Sequence, residues 1–270
     1  MAAKFRLPPL NTGDSPGTAI RSAILLTGDC REQMPARGPF DLIIADPPYG
    51  DTSLSWDRQV EGWLMLARAA LRPTGSIWIF GSLRSFLRIA PALHKARLRL
   101  AQDVIWQKQN GTSFHADRFR RVHEIVAQFY RTDTPWRLVH NAVRTTPDAT
   151  ARTVRRKTRP PHMGDIGVGH YRSLDGGPRL MRSVLVVRNC HGRAIHPTEK
   201  PVELLETLIE TSCPPGGLVG DWFAGSGAVG EACLRTGRRY LGCEIDPAMA
   251  ERARLRLQGF AAFYPEDGDD

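Results

Sequence analysis

The sequence lacks the features that mark membrane, exported and zinc-binding proteins. It contains no apolar run long enough to cross a bilayer as a helix. Its first residues, MAAKFRLPPLNTGDSPG, include no apolar core of the kind that signal peptides carry, so we expect a cytoplasmic protein. The five cysteines are scattered and form no CxxC pair, which disfavours a metal site and favours reduced thiols.

Acidic residues are too few to balance the basic ones. The chain holds 37 Lys and Arg against 28 Asp and Glu, which gives a formal net charge of +9. Most of this excess lies within residues 131–190, where Arg and Lys far outnumber Asp. A basic surface indicates a polyanionic partner such as nucleic acid, although charge alone also fits any soluble basic protein.

Short apolar runs with strand character alternate with helical patterns at both ends of the chain. The candidate strands are Ala23–Thr27, Phe40–Ala45, Ser76–Phe80, Gln102–Trp106, Glu124–Tyr130, Leu218–Trp222 and Arg239–Glu244. The candidate helices are Val60–Leu71, Leu83–Ala96, Pro201–Thr211, Ala228–Thr236 and Pro247–Gln258. Such alternation predicts an α/β fold with a doubly wound, mostly parallel sheet and helices on both of its faces.

Residues 131–190 interrupt this alternation, because they are rich in Arg, Thr, Pro and Gly and show little apolar periodicity. A structureless loop of that length is unusual inside a compact domain, so the segment predicts an inserted module or a region that orders on its partner. The chain then divides into an N-terminal arm, a first block of the main domain, the insert, a second block and an acidic tail: residues 1–21, 22–130, 131–190, 191–258 and 259–270.

A glycine-rich motif follows the candidate strand Leu218–Trp222. Residues 218–230 read LVGDWFAGSGAVG and contain the spacing GxGxxG, with Glu244 at the end of the next strand. Glycine lets the backbone approach a ligand closely, and the distal acid can accept hydrogen bonds from ribose hydroxyls. The motif therefore predicts a dinucleotide or another adenosine-bearing cofactor. Asp221 and Phe223 favour the second, since they offer a carboxylate for an ammonium group and an aromatic wall.

A second motif, Asp46-Pro47-Pro48-Tyr49, directly follows the candidate strand Phe40–Ala45. The prolines stiffen the loop and leave backbone carbonyl oxygens free as acceptors, because proline has no N–H. A carboxylate, a carbonyl and a flat ring together suit the exocyclic amine of a nucleobase, which presents two N–H donors on an aromatic plane. Both motifs follow strands, so in a doubly wound sheet we expect them to meet where ligands bind, at the carboxyl ends of the strands.

Together the two motifs resemble those of the amino-group DNA methyltransferases that use S-adenosylmethionine. Their order, with DPPY first and the segment FAGSG at residues 223–227 late, is similar to that of the β class. Further similarity lies in Gly28-Asp29-Cys30 and in the segment HPTEKP at residues 196–201. The resemblance covers about residues 22–130 and 190–258. It implies a seven-stranded Rossmann-like sheet with an inserted target-recognition region, which would be the basic segment.

The resemblance also implies a role for each matching position. The implied catalytic residues are Asp46, Pro47, Pro48 and Tyr49. The residues implied to bind the cofactor are Asp29, Cys30, Thr198, Lys200, Asp221, Phe223, Ala224, Gly225, Ser226, Gly227 and Glu244. Within this set, Thr198 and Lys200 would lie near the cofactor carboxylate, where a cation has an electrostatic use.

These implications make adenine N6 in double-stranded DNA the expected target, because the motif opens with Asp rather than Ser. Cytosine N4 stays an alternative, since both amines present two N–H donors. A nucleotide-dependent oxidoreductase and a DNA-binding module without catalysis are more distant alternatives. The resemblance also makes a homodimer plausible. The expected phosphate contacts are Arg155, Arg156, Lys157 and Arg159, for which a solvated loop is the alternative.

Overall fold

The computed structural model describes residues 23–51, 54–112, 116–142, 145–147, 153–156, 169–172, 178–190 and 198–263. The chain divides into two compact units. The larger unit contains Met1–Ala142 and Ser183–Asp270, and the smaller one contains Val143–Arg182.

The secondary structure alternates between strands and helices outside the smaller unit. The strands are β1 (Ala23–Thr27), β2 (Phe40–Ala45), β3 (Leu71–Gly81), β4 (Leu98–Thr112), β5 (Arg121–Arg131), β6 (Thr145–Pro147), β7 (Thr153–Arg156), β8 (Gly169–Arg172), β9 (Pro178–Leu180), β10 (Val184–Val186), β11 (Leu218–Asp221) and β12 (Arg239–Glu244). The helices are α1 (Cys30–Gln33), α2 (Trp63–Ala70), α3 (Leu83–Lys95), α4 (Val202–Ser212), α5 (Ala228–Arg235) and α6 (Pro247–Phe263), with short 3-10 turns at Pro35–Arg37 and Trp136–Leu138.

One sheet in the larger unit has the strand order β1-β12-β11-β2-β3-β5-β4-β10. Neighbouring strands are parallel except where β5 pairs with β3 and β4. The predicted fold class is confirmed, and each predicted strand lies in this sheet. The sheet has eight strands rather than the expected seven, because β10 pairs with residues 105–107 of β4.

Helices cover both faces of the sheet. Successive residues of a strand point to opposite faces, so they pack against different helices. Leu42 and Ile44 of β2 lie in a buried cluster with residues of α4, α5 and α6. Ile43 and Ala45 lie in a second cluster with residues of α1, α2 and α3. This two-sided burial explains why β2 is apolar along nearly its whole length rather than at every second position.

Two helix boundaries differ by more than one residue from the predicted ones. α2 begins at Trp63 rather than at Val60, because Gly62 directly before it has a left-handed φ of 83°. α6 continues past Gln258 to Phe263, since the sequence offers no proline in this stretch to stop it. Part of the predicted acidic tail is therefore helical, and residues 264–270 lie outside the described ranges. No helix within those ranges is long and apolar enough to cross a membrane.

The smaller unit contains two antiparallel strand pairs in its described part, β6 with β9 and β7 with β8. The insert predicted at residues 131–190 is longer than this unit. The difference arises at both ends, because residues 131–142 and 183–190 belong to the larger unit. Arg131 still pairs with Leu98 in the main sheet, and Val184–Val186 form the edge strand of that sheet.

A buried polar group lies where the sheet meets α4. Gln128 of β5 is fully buried, and its Nε2 donates hydrogen bonds to Ser76 Oγ at 2.9 Å and to Ser212 Oγ at 3.0 Å. Trp78 Nε1 donates to the same Ser212 Oγ at 2.9 Å. Ser212 therefore accepts hydrogen bonds from two buried donors and links β3 and β5 to α4.

We predict that Ser212→Ala lowers the free energy of unfolding by about 1–3 kcal/mol, because it leaves the Trp78 indole N–H without its acceptor. Urea unfolding followed by circular dichroism measures the difference. The matched control is Thr207→Ala on the same helix, whose hydroxyl donates only along the helix to Glu203 O. We expect a change of about 0.5 kcal/mol or less there. Equal losses in the two variants would contradict the role given to Ser212.

Candidate active site

The two sequence motifs lie side by side at one edge of the sheet. β2 and β11 are parallel neighbours, with Ile44 opposite Asp221. The loops that leave these strands open into one cavity of about 940 Å³. The predicted site residues that line it are Asp29, Cys30, Asp46, Pro47, Pro48, Tyr49, Thr198, Lys200, Asp221, Phe223, Ala224, Gly225, Ser226 and Glu244. The structure thus brings together residues that are far apart in the sequence.

The loop that carries DPPY is held by side chains that follow it in the sequence. Asp57 is buried and accepts hydrogen bonds from Gly50 N at 2.7 Å and from Asp51 N at 3.0 Å. Arg88 of α3 donates to Tyr49 O at 2.9 Å. These contacts fix the backbone just beyond the motif, so its acidic and aromatic side chains keep their position relative to β2.

Asp46 and Tyr49 contact each other within the cavity. Tyr49 Oη donates a hydrogen bond to Asp46 Oδ1 at 2.7 Å and lies 3.3 Å from Glu124 Oε2. Burial raises the pKa of Tyr49 well above its usual value, and the two neighbouring carboxylates raise it further. The phenol therefore keeps its proton at neutral pH and acts as a hydrogen-bond donor.

Lys200 lies against both of these carboxylates. Its Nζ is 2.5 Å from Asp46 Oδ2 and 3.5 Å from Glu124 Oε2, and it donates to Thr198 O at 3.2 Å. Burial lowers the pKa of Lys200, but the two carboxylates outweigh burial and hold that pKa above its usual value. Lys200 is therefore cationic and pairs with the motif aspartate. Its contact with a cofactor carboxylate stays a prediction.

Glu124 belongs to this cluster, although its sequence context favours a structural role. It lies near the start of β5, and β5 is antiparallel to β3, so this start reaches the sheet edge where the parallel strands end. Lys108 forms an ion pair with its other carboxylate oxygen. Burial raises the pKa of Glu124, but Lys200 and Lys108 outweigh it and hold that pKa below its usual value. Glu124 is therefore ionised. The sequence feature that could identify Glu124 as a site residue is an acid at the start of a strand. This feature points to the site only when the strand is known to run antiparallel to its neighbours.

The glycine-rich loop turns at Gly225, whose φ of 51° lies in the left-handed region that favours glycine. Gly225 N donates a hydrogen bond to Glu244 Oε2 at 2.7 Å, and Asp246 N donates to Glu244 Oε1 at 2.9 Å. A Cβ added at Gly225 would meet no atom within 4 Å. Glu244 thus holds the loop, while the space beside Gly225 stays open to a ligand.

The next two glycines of the motif allow close packing between α5 and α6. Gly227 precedes α5 with a φ of 76°, and a Cβ there would lie 3.1 Å from the Cβ of Ala253. A Cβ on Gly230 would approach Leu257 Cδ2 to 2.8 Å. Unlike Gly225, Gly227 is not among the described residues that line the cavity. Its contact with a cofactor stays a prediction.

Asp221 is almost fully buried at the end of β11. Its Oδ2 accepts a hydrogen bond from Tyr240 Oη at 3.1 Å, and its Oδ1 accepts one from Phe223 N at 3.3 Å. Burial raises the pKa of Asp221 to about 7, although both hydrogen bonds lower it. Near neutral pH the Asp221 carboxyl is therefore present in both its protonated and its ionised form. The Phe223 ring lies edge-on against Trp63, with centroids 5.3 Å apart, so the aromatic wall is also fixed.

Asp29 and Cys30 follow β1, the neighbour of β12. Asp29 caps α1 by accepting a hydrogen bond from Arg31 N at 2.8 Å, and Arg31 Nε lies 3.0 Å from each of its oxygens. Hydrogen bonds from the Arg31 side chain hold the pKa of Asp29 below its usual value. Burial raises the pKa of Cys30 to about 12, so its thiol is neutral. The cavity therefore has an anion and an apolar sulfur side by side here.

Arg256 of α6 joins the glycine-rich loop to the HPTEKP segment. It donates hydrogen bonds to Glu199 Oε1 at 2.9 Å, Ser226 Oγ at 3.3 Å and Glu231 Oε2 at 2.7 Å. Sequence reasoning missed this residue, because no local pattern separates it from the other arginines of α6. Its contacts hold the residue next to Lys200 in a fixed place beside the loop.

The predicted phosphate contacts lie in the smaller unit. Arg155 and Arg156 are part of β7, whose backbone pairs with β8, whereas Lys157 and Arg159 lie outside the described residues. Contact with DNA stays a prediction for all four. Within the described ranges, no group of three or more His, Cys, Asp or Glu side chains is placed to hold a metal ion.

Comparisons with known proteins match both motifs at once. A DNA methylase family model, for N6 and N4 methyltransferases, matches residues 40–254. The Type II methyltransferase M2.DpnII of Streptococcus pneumoniae is 27% identical over 244 residues, which cover 81% of this chain and 82% of that protein. The family match accounts for DPPY as well as for the glycines, and an oxidoreductase accounts only for the glycines.

Solved structures with the same fold include two DNA methyltransferases. The complex of M1.HpyAVI with S-adenosylmethionine has a TM-score of 0.61 at 21% identity, over 87% of this chain and 100% of that chain. The PvuII DNA methyltransferase, described as cytosine-N4-specific, has a TM-score of 0.61 at 16% identity, over 90% of this chain and 91% of that chain. At these identities the likeness establishes the fold.

We predict that Asp221→Asn changes how stability depends on pH. The Asp221 carboxyl loses its proton near pH 4 in the unfolded chain and near pH 7 in the folded protein, so folding binds a proton between these values. The wild type should therefore lose stability relative to Asp221→Asn as the pH rises from about 4 to about 7, and no further above that range. Urea unfolding in a series of buffers measures the difference.

Asp133→Asn is the matched control for this measurement. Hydrogen bonds from Arg131 hold the pKa of Asp133 below its usual value, so this carboxyl is ionised in the folded and the unfolded chain above about pH 5. The stability difference between Asp133→Asn and the wild type should stay constant over that range. A constant difference for Asp221→Asn as well would show that burial does not hold its proton.

Proposed function

Since the chain belongs to the family of N6/N4 DNA methylases, and is therefore an S-adenosylmethionine-dependent DNA methyltransferase, we propose that it methylates the N6 amine of adenine in double-stranded DNA. The observation that carries this proposal is the position of Asp46. Its carboxylate follows β2 beside Tyr49 and lines the same cavity as the glycine-rich loop. An acceptor for an amine and a holder for the methyl donor thus share one cavity.

The residues around the glycine-rich loop fit S-adenosylmethionine. Asp221 offers a buried carboxyl that an ammonium group would convert to its ionised form. Gly225 leaves space for a close approach, and Glu244 has lone pairs left for ribose hydroxyls. When bound, the cofactor supplies an electrophilic methyl group on a sulfonium sulfur. Cofactor contact for the other predicted binding residues is part of the same proposal.

Asp46 and the Pro47 carbonyl would each accept a hydrogen bond from one of the two N–H groups of the target amine. The lone pair of such an amine is delocalised into the base, and accepting both hydrogens localises it on the nitrogen. Pro47 and Pro48 restrict the backbone between the two acceptors, so little freedom is lost on binding. The rate enhancement would then come from positioning and electrostatics rather than from a strong base.

Tyr49 would stack on the target base after the base rotates out of the duplex. Rotation costs a few kcal/mol, which stacking and hydrogen bonds in the cavity must offset. The Tyr49 ring packs against the main hydrophobic core, so its plane is fixed before the base arrives. The predicted phosphate contacts of the smaller unit would hold the duplex.

The family model is for N6 and N4 methyltransferases, so the candidate amines are adenine N6 and cytosine N4. Adenine is favoured because the motif opens with Asp46, which resembles the adenine-N6 enzymes. Cytosine N4 is the second candidate, favoured by the fold shared with the cytosine-N4-specific PvuII enzyme. We also propose that the protein acts in the cytoplasm as a homodimer.

We predict that incubation of the purified protein with DNA and S-adenosylmethionine yields N6-methyladenine. Nucleoside mass spectrometry after complete digestion identifies the product. Genomic DNA from a host without adenine methylation serves as substrate, so that any modified base is new. N4-methylcytosine as the only product would replace adenine with cytosine in the proposal, and no methylated base in any DNA would contradict it.

We predict that Asp46→Ala lowers the rate of methyl transfer at least about 100-fold, because it removes an acceptor aimed at the reacting amine. Cofactor affinity, measured by calorimetry, should stay within about threefold, since Asp46 is proposed to accept from the target amine and is not among the predicted cofactor-binding residues. Asp103→Ala, a change of the same kind at an exposed position of β4, is the control and should keep the wild-type rate. Near-normal turnover of Asp46→Ala would show that Asp46 does not hold the amine.

A further inference from the structure

An alternating row of charges has three members in the cavity wall and one, Lys108, outside the lining residues, and the proposed function makes only Asp46 an acceptor for the amine. The row runs Lys108, Glu124, Lys200 and Asp46, and each neighbouring pair is in ionic contact. Tyr49 Oη lies between the two carboxylates, 2.7 Å from Asp46 Oδ1 and 3.3 Å from Glu124 Oε2. Asp46 and Glu124 are thus connected twice, once through an ammonium group and once through a phenol.

The state of Asp46 in this structure does not suit an incoming amine. One of its oxygens accepts from Tyr49, and the other lies 2.5 Å from Lys200 Nζ. Each oxygen can accept a second hydrogen bond, but an amine that donates to Asp46 must compete there with the phenol or with the ammonium group. Positive charge also develops on the amine nitrogen as it attacks the methyl group, and a neighbouring ammonium group opposes that charge.

Glu124 offers the displaced groups a second acceptor. Lys200 Nζ is already 3.5 Å from Glu124 Oε2, so a small shift moves it from one carboxylate to the other. The shift stays within an aromatic wall, because Nζ lies 5.2 Å from the Phe80 ring centre and 5.8 Å from that of Tyr49. Lys108 holds the other oxygen of Glu124, which keeps this carboxylate in place.

We propose that Glu124 is a positioning residue that takes Lys200 and Tyr49 from Asp46 when the target amine enters the cavity. No covalent bond changes and no proton is transferred in this step, since Lys200 remains an ammonium group and Glu124 a carboxylate. The proposal rests on the proposed role of Asp46 as the amine acceptor. It applies equally to adenine and to cytosine, because both amines would meet the same ammonium group at Asp46.

The test is Glu124→Gln, which keeps the size of the side chain and an acceptor for Tyr49 but removes the charge that attracts Lys200. Single-turnover methylation at saturating S-adenosylmethionine and DNA should slow at least tenfold. Cofactor and DNA affinities should stay within threefold of the wild type. Glu124→Asp, which keeps the charge, should recover most of the rate. A rate for Glu124→Gln within twofold of the wild type would overturn the proposal.

A second substitution separates this role from a purely structural one. If Lys200 blocks Asp46 in Glu124→Gln, then Glu124→Gln/Lys200→Met should react faster than Glu124→Gln alone in single turnovers at a cofactor concentration that saturates each variant. The matched control is Glu124→Gln/Lys108→Met, which removes the other cation of Glu124 but none from Asp46, and it should stay as slow as Glu124→Gln. Equal rates in the two double variants would overturn the proposal.

The design distinguishes failure of this inference from failure of the proposed function. A wild-type enzyme that methylates no DNA overturns both. An active wild type whose Asp46→Ala variant is inactive, but whose Glu124 variants all react at the wild-type rate, overturns the role of Glu124 alone. If Glu124→Gln fails to fold, a crystal structure of the wild type with DNA and a cofactor analogue decides the question, and Lys200 Nζ still bonded to Asp46 beside a bound target base overturns the proposal.

Discussion

The parallel pairing of β2 with β11 is the constraint on which the site depends. Ile44 lies opposite Asp221, so the two loops leave the sheet at one edge although their sequences are far apart. Both strands are buried on both faces, and a slip by one residue would send each side chain into the opposite hydrophobic cluster. The distance between Asp46 and the glycine-rich loop is therefore set by the core rather than by the loops themselves.

Two carboxyl groups that line the cavity have pKa values shifted in opposite directions. Glu124 is held ionised by Lys200 and Lys108, which outweigh its burial. Asp221 has a pKa raised to about 7 by burial, and its hydrogen bond from Tyr240 does not restore the usual value. When their environments push the pKa values of two carboxyl groups apart in this way, the two groups can serve different chemical roles. Glu124 is charged before any ligand binds, whereas the charge of Asp221 can respond to the ligand.

The part of the site that depends on local sequence could be predicted, and the part that depends on long-range pairing could not. Asp46 and Gly225 each follow an apolar run, and parallel strands end at the same edge of a sheet. Glu124 faces the cavity only because β5 runs against its neighbours, which the residues of β5 do not encode on their own. β10 is three residues long and carries no periodic signal. Lys200 was found as a cation, but its carboxylate partner in the motif required the three-dimensional structure.

The glycines of the cofactor motif divide their work in a way that the spacing alone conceals. Gly225 borders open space, whereas Gly227 and Gly230 are small because Ala253 and Leu257 of α6 come so close to α5. Two of the three glycines that define the motif are thus needed for close packing between two helices, whichever small molecule binds in the cavity. Enzymes with unrelated chemistries can then carry the same glycine signature, and telling their ligands apart depends on the side chains around it, here the neighbouring acid and ring.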